Sequence, residues 1–309
     1  MGPRNLLRAF IATTMLIVLC GVTASPATAE GGRRNRPRVP GMVIVESNRS
    51  FDDTWSSLIT ALEANTSIRV VAKIDHSAAA KSAGLALDPN RVVVFGNPNL
   101  GTPLMRTNQV AGLDLPQKIQ VFEQKGRVWV GFNDVLYLKA RHRLGAQPTL
   151  ETIDGALRAL AGVATGTTVD ARSFGSHQFK RWPGIVTVSS DADVDVTWKR
   201  LLAAIDASPA NVAFTVDHQA GAKSVGLELR PTRLVVFGNP QLGTPLMRER
   251  PTAGIDLPLK ILVWEDESGR TFVSTNNERL ARRHRLRRAD LDPLATAVNN
   301  FLTIATTTP

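Results

Sequence analysis

The sequence predicts an α+β fold built as two tandem copies of one domain, each a mainly antiparallel sheet with helices on one face. The first sign is a repeated loop. Gly96-Asn97-Pro98-Asn99-Leu100-Gly101-Thr102-Pro103-Leu104 returns as Gly238-Asn239-Pro240-Gln241-Leu242-Gly243-Thr244-Pro245-Leu246. Around it, residues 75–123 and 217–265 align at a constant offset of 142 with 33 identities in 49 positions. That period is too long for a solenoid unit and suits a complete domain with its own core. The second sign is the order of elements, with strands joined as a hairpin late in each copy. The third is negative: the glycine fingerprint and regular strand–helix alternation of a dinucleotide-binding sheet are both missing.

In the first copy Met42–Glu46 is a short apolar strand, followed by a turn at Asn48-Arg49-Ser50. Asp52 or Asp53 is placed to cap a helix whose apolar face is Trp55, Leu58, Ile59 and Leu62, at spacings of three and four. Its partner begins near Asp193 and carries Trp198, Leu201, Leu202 and Ile205. Residues 68–74 are β-branched and apolar, hence a strand. Residues 76–83 are alanine-rich, a helical turn or two stopped at Gly84. The runs 91–95 and 233–237 are continuously apolar after a leading arginine, as a central strand buried on both faces would be. The Asn-Pro loop follows each, then a short helix around residues 103–106. Residues 116–123 and 127–132 form a hairpin through Gln124-Lys125-Gly126; the second copy turns through Asp266-Glu267-Ser268-Gly269, one residue longer. Helices over residues 150–160 and 292–304 close the two domains, the latter with Asp292 as N-cap and Pro293 at the first helical position.

The N-terminus reads as an export signal. Arg4 and Arg8 precede an apolar stretch over residues 9–22, and Ala27 and Ala29 fit a cleavage site before Glu30. The predicted division is a signal over residues 1–29, a basic disordered leader over 30–40, a first domain over 41–163 and a linker over 164–183. A second domain then spans 184–305 and a tail 306–309. The expected location is secreted, periplasmic or cell-envelope, with no transmembrane span after cleavage. Cleavage removes Cys20, the only cysteine, so disulfides and thiol chemistry are excluded from the mature chain. The formal charge of +10 falls to +8 when Arg4 and Arg8 leave (10 − 2). Two arginine clusters remain, residues 33–38 and 279–288. They read as a floppy arm and a solvated face, with polyanion binding as the alternative; no aromatic-interleaved pattern supports a nucleic-acid partner.

Three repeated groups are candidate sites. Asn97 and Thr102, with Asn239 and Thr244, lie in the loop; Thr102-Pro103 reads as an N-cap and first helical residue whose exposed amides can receive an anion. The same residues serve equally as a rigid connector. Asp75-His76 with Lys81, matched by Asp217-His218 with Lys223, offers a general base, a ligand or a capping histidine. Asp114-Leu115-Pro116 with Lys118, matched by Asp256-Leu257-Pro258 with Lys260, sets a carboxylate and an ammonium at a strand entry, facing a cleft or forming an ordinary salt bridge. His142 and His284 sit in twin Arg-His-Arg-Leu segments and give each domain a second histidine. Serine-nucleophile elbows, phosphate loops, cysteine-rich metal sites and zinc-protease helices are absent, so no cofactor or metal is assigned.

The phrases Asp75-His76-Ser77-Ala78-Ala79-Ala80-Lys81, Val93-Val94-Phe95-Gly96-Asn97-Pro98, Gly101-Thr102-Pro103-Leu104-Met105 and Leu113-Asp114-Leu115-Pro116-Gln117-Lys118-Ile119 closely resemble the bacterial family called domain of unknown function 302. The resemblance covers both repeats. It implies a compact β-α-β(4)-α domain of TATA-binding-protein-like topology, in agreement with the order read from the residues, and supplies no catalytic residue. One departure lies after the last strand, where Asn276-Asn277 stands in place of Asn133-Asp134.

The sequence therefore favours an exported, non-enzymatic module that binds a small molecule or an anion, with one site per repeat beside the Asn-Pro loop. The alternatives are a hydrolase- or lyase-like enzyme using the Asp-His segments and an envelope interaction module in which the repeats pack against each other.

Overall fold

The computed structural model describes residues 36–169, 184–277 and 282–307. The expected signal segment, most of the expected leader and residues 170–183 of the expected linker lie outside the described residues.

Each repeat is a five-stranded antiparallel sheet. In the first, β1 (Met42–Glu46), β2 (Arg69–Asp75), β3 (Asn90–Gly96), β4 (Gln117–Gln124) and β5 (Arg127–Asn133) lie in the order β1-β5-β4-β3-β2. Helix α1 (Phe51–Glu63) carries the chain from one sheet edge to the other. Helices α2 (His76–Ser82), α3 (Pro98–Thr107), α4 (Val135–His142) and α5 (Pro148–Thr165) follow in turn. The second repeat has β6 (Ile185–Ser189), α6 (Val194–Asp206), β7 (Asn211–Asp217), α7 (His218–Lys223), β8 (Thr232–Gly238), α8 (Pro240–Glu249), β9 (Leu259–Glu265), β10 (Thr271–Asn276) and α9 (Arg288–Thr306). Its sheet order, β6-β10-β9-β8-β7, matches the first.

Strand alternation divides each sheet into two apolar faces. Val93, Phe95, Ile119, Val121, Val130 and Phe132 face Leu58 and Leu62 of α1 and Leu157 and Ala161 of α5. In the second repeat Val235, Phe237, Ile261 and Val263 face Leu201 and Ile205 of α6 and Phe301 of α9. The opposite faces explain why β3 and β8 are apolar at consecutive positions. A 3-10 turn from the other repeat covers each of them. Ile255, from the turn Pro251–Ile255, packs with Met42, Ile44, Phe122 and Trp129. Leu113, from the turn Gln109–Leu113, packs with Leu234, Val236 and Leu262. The two repeats thus exchange a turn and complete each other's sheets.

Several helix starts differ from the sequence expectation. Ser50, not Asp52 or Asp53, caps α1, its side chain accepting from Asp53 N; the two acids occupy the first turn. The helix expected at residues 103–106 begins five residues earlier. Asn97 is its N-cap and Pro98 its first residue, which leaves Pro103 inside the helix. Helix α9 also starts a turn early, at Arg288, so Asp292 does not cap it and Pro293 is internal. Such a proline gives up one backbone bond near the helix start, where few have yet formed. Helix α4, which no expectation included, follows β5 with Asp134 as its N-cap. The predicted linker also starts too early, because Ala164 and Thr165 complete α5.

Candidate functional site

The Asn-Pro loop is a helix cap. Asn97 Oδ1 accepts from Asn99 N at 2.9 Å, and Asn97 O accepts from Leu100 N and Gly101 N. Asn239 repeats the arrangement with Gln241 N at 2.9 Å. These bonds consume the first-turn amides that an anion would need. Thr102 and Thr244 are buried within their helices, and neither hydroxyl has a hydrogen-bond partner among the described residues. The expectation of an anion-receiving helix start at Thr102 is therefore corrected: the helix starts at Pro98, and its amides are already capped. Lys81 and Lys223 lie exposed near the ends of α2 and α7.

The two Asp-His segments divide their labour. Asp75 and Asp217 are the N-caps of α2 and α7, accepting from Ala78 N and Ala220 N. The histidines point to the other repeat. His76 Nε2 lies 3.0 Å from Gly254 O, and His218 Nε2 lies 3.2 Å from Gly112 O. A carbonyl only accepts, so Nε2 carries the proton in both. Burial lowers both histidines to about 4, against the smaller opposing effects of those carbonyls and of Asp75 and Asp217. They are neutral docking groups.

Asp114 and Asp256, each directly after its 3-10 turn, organise a buried cluster of charged groups. Asp114 is fully buried. Its Oδ2 is 2.7 Å from His142 Nε2 and 2.9 Å from Arg141 Nε, and its Oδ1 accepts from Lys260 Nζ of the second repeat at 2.8 Å. Burial opposes its ionisation, but Arg141, Lys260 and His142 outweigh that and hold the carboxyl well below its ordinary range. Asp256 is the counterpart, with Oδ2 at 2.7 Å from His284 Nε2 and 3.0 Å from Arg283 Nε. Its carboxyl is likewise held low, chiefly by Arg283 against the cost of burial. The symmetry then breaks. Lys118 donates to the Ile255 carbonyl, and Asp256 Oδ1 has no hydrogen-bond partner among the described residues. The arginines also bridge the repeats, Arg283 Nη2 donating to Asn133 Oδ1 at 2.7 Å and Arg141 to Asn276 Oδ1.

A cavity of about 230 Å³ opens beside Asp256 and His284. Its apolar wall includes Val186, Leu246, Leu286, Leu291 and Leu302, and its polar end includes Thr275, Asn276 and Asn277. Strand register explains why it belongs to the second repeat. Phe132 pairs with Val43 and Ile119 in the first repeat; Thr275 pairs with Val186 and Ile261 at the same place in the second. The Phe132 ring and Val43 are fully buried. Thr275 turns its hydroxyl back to Lys260 O at 2.7 Å, and Val186 is 37% exposed.

Thr252 Oγ1 lies 3.0 Å from His284 Nδ1, giving a hydroxyl–imidazole–carboxylate chain with Asp256. Thr252 is buried and is not among the residues lining the cavity, so the order of groups has no path to a substrate carbonyl. Val110 stands at the matching position of the first repeat, and His142 Nδ1 has no partner there. Among the described residues no group of three or more His, Cys, Asp or Glu side chains is arranged to hold a metal ion.

Of the predicted residues, Asp114 and Asp256 join this junction, and His76 and His218 dock nearby. Asn97, Thr102, Lys81 and their counterparts do not line the cavity. Arg141, His142, Arg283 and His284 were visible only as a repeated Arg-His-Arg-Leu phrase, and Arg283 corrects the expectation that its cluster is a solvated face.

The model of the family described as "Domain of unknown function DUF302" matches residues 43–160 and 186–306. The chain belongs to the DUF302 family. A fluoride-specific ion channel, FluC 1, of Brucella suis biovar 1 is 48% identical to this DUF302 chain over 104 residues, which is 33% of the chain and 41% of the relative. FluC 1 of Brucella abortus biovar 1 is equally similar over 38% of its length. The DUF302 chain thus spans about two fifths of these relatives. Among its described residues no helix is long and apolar enough to cross a membrane. A crystal structure of an uncharacterized DUF302 protein from Bacillus stearothermophilus aligns with a TM-score of 0.32 and 17% identity, covering 38% of this chain and 94% of that one.

Proposed function

We propose that this tandem DUF302 protein is a non-enzymatic binding protein, exported by its N-terminal signal, that holds one small, mostly apolar molecule in the second repeat. One observation carries the proposal: the second repeat has a 230 Å³ cavity ending at a buried carboxylate, where the first repeat has a phenylalanine. A cavity of about 150 Å³ already accommodates benzene, so this one suits a compact aromatic or branched aliphatic molecule. Asp256, Thr275, Asn276 and Asn277 line the cavity beside its apolar wall, so a ligand carrying a neutral hydrogen-bonding group is favoured over its hydrocarbon analogue. A phenol or an alcohol has that chemistry. The relatives' fluoride name belongs to proteins more than twice the matched length and does not carry this reading.

A thermal-shift comparison of p-cresol with toluene tests it. The expected result is a dose-dependent rise in Tm that is larger for p-cresol and is lost in Thr275→Phe, which refills the space as Phe132 does. Absence of stabilisation by either molecule, or stabilisation undiminished in a folded Thr275→Phe, would overturn the proposal.

A further inference from the structure

A second, much smaller cavity lies where the repeats meet, with a volume of about 10 Å³. That is about the space needed for one water-sized particle. Eight of its twelve lining residues form four pairs 142 positions apart, Val94 with Val236, Leu115 with Leu257, Pro116 with Pro258 and Lys118 with Lys260, so it sits close to the pseudo-twofold relating the repeats. Most of the wall is aliphatic, and the two lysines are its charged members.

The charges around it do not balance. Two carboxylates, Asp114 and Asp256, stand against Arg141, Arg283, Lys118 and Lys260. Asp114 is shared by Arg141 and Lys260, and Asp256 is engaged by Arg283; the neutral Ile255 carbonyl is what receives Lys118. Each ammonium has three N–H donors, and one is accounted for on each. Uncompensated charge away from water is costly, and two like charges beside one cavity compound the cost.

We infer that a single water-sized monovalent anion, with fluoride as the type, binds between Lys118 and Lys260 close to the pseudo-twofold. The anion accepts from both ammonium groups and offsets one of the excess positive charges. The aliphatic wall excludes the hydration shell, and the volume discriminates against larger halides. This site is separate from the apolar cavity and does not depend on it.

Protonation of Lys118 is the linked variable. Burial, then Lys260, pushes its ammonium down to about 7, with Asp256 and Asp114 acting the other way. The titratable and charged groups around it are His76, Asp114, Asp256, Lys260, Arg283 and His284. His76 stays neutral through the relevant range, and both carboxylates stay ionised. Lys118 is therefore the group beside this cavity that loses its charge between pH 6 and pH 8.

Isothermal titration of the full chain with sodium fluoride and with sodium chloride, at pH 6 and pH 8, tests the inference. The expected result is one fluoride per chain, bound on the order of tenfold more weakly at pH 8, with proton uptake accompanying binding at pH 8. Lys118→Met is expected to abolish it while far-ultraviolet circular dichroism stays unchanged; if that variant does not fold, the wild-type pH pair and proton uptake decide. No fluoride binding at pH 6, binding without pH dependence, undiminished binding in folded Lys118→Met, or chloride bound as tightly as fluoride would each overturn it.

Discussion

Lys260 of the second repeat donates to Asp114 of the first across 2.8 Å, with both side chains at most 3% exposed. The bond joins residues 146 positions apart and ties the repeats through a carboxylate that already holds Arg141 and His142. Asp114→Ala leaves three cationic or polar donors buried without their acceptor. Breaking such a group from one side costs about 3–5 kcal/mol. Chemical denaturation is expected to show a loss of that order. Lys260→Met removes a partner but leaves Asp114 paired, so its loss should be clearly smaller. Equal losses in the two variants would show that Asp114 is not the hub.

Neutral histidines set the acid limit of this junction. His76 and His218 have an ordinary value of 6.5 that is lowered to about 4 in the folded chain. The unfolded chain therefore binds their protons first. Their contribution to stability is complete above about 6.5, is lost as pH falls toward 4, and changes by up to about 1.4 kcal/mol per pH unit for each histidine. Melts from pH 7.5 to pH 4 should show this decline. The double variant His76→Gln, His218→Gln keeps an N–H donor for each carbonyl and should reduce it, the remainder belonging to His142 and His284, which burial also lowers. Asp114 and Asp256 act in the same direction at lower pH, the loss beginning as pH falls through the ordinary carboxylate value of 3.8 and ending only well beneath it.

The parts legible in the sequence were those governed by short-range patterning. The apolar runs at β3 and β8 signal strands buried on both faces because no polar residue alternates with Val92-Val93-Val94-Phe95. What buried the second face was not legible. Leu113 and Ile255 are ordinary apolar residues in their own repeats and acquire their role only when the repeats exchange turns. Asn97 carried enough turn chemistry to be noticed. The downstream Thr102-Pro103 pair drew the helix start away from it, since a threonine before proline looks the same at a true cap and one turn inside. The Arg-His-Arg-Leu phrases were a usable signal, yet spacing along the chain says nothing about Asp114 lying 2.7 Å from His142.

Two glycines make the turn exchange sterically feasible. A Cβ at Gly254 would stand 2.6 Å from Gln120 Nε2, which donates to Pro251 O, and 2.7 Å from Asn90 Oδ1, whose amide Nδ2 donates to the same carbonyl. At Gly112 the nearest atom would be Leu262 Cδ1, at 3.0 Å. Gly254→Ala must break the amide pair or shift the turn, so it is expected to lower stability by about 1–3 kcal/mol and to exceed Gly112→Ala. Denaturation midpoints of the two variants give the comparison, and the reverse order would show that the second turn has slack.

Asn97 and Asn239 hold helix starts rather than ligands. Replacing either with alanine removes the acceptor for Asn99 N or Gln241 N. Each change is expected to cost about 1 kcal/mol. The affinity for a cavity ligand measured with p-cresol should stay the same. A large affinity loss in a stable Asn239→Ala would return the loop to the binding site.

The difference between Phe132 and Thr275 predicts a gain of function. Phe132→Thr removes a fully buried ring from the first repeat and gives it the residue found beside the second-repeat cavity. Truncating such a side chain costs about 3–5 kcal/mol when the core does not collapse. If the space remains, it lies against the same sheet position that Thr275 occupies in its own repeat. The expected outcome is a destabilised chain that takes up two molecules of p-cresol instead of one, read by titration calorimetry, with part of the lost melting temperature restored by the ligand. The partner variant Thr275→Phe should take up none. One bound molecule in each of the three proteins would place the ligand elsewhere and remove the asymmetry between the repeats as the basis of binding.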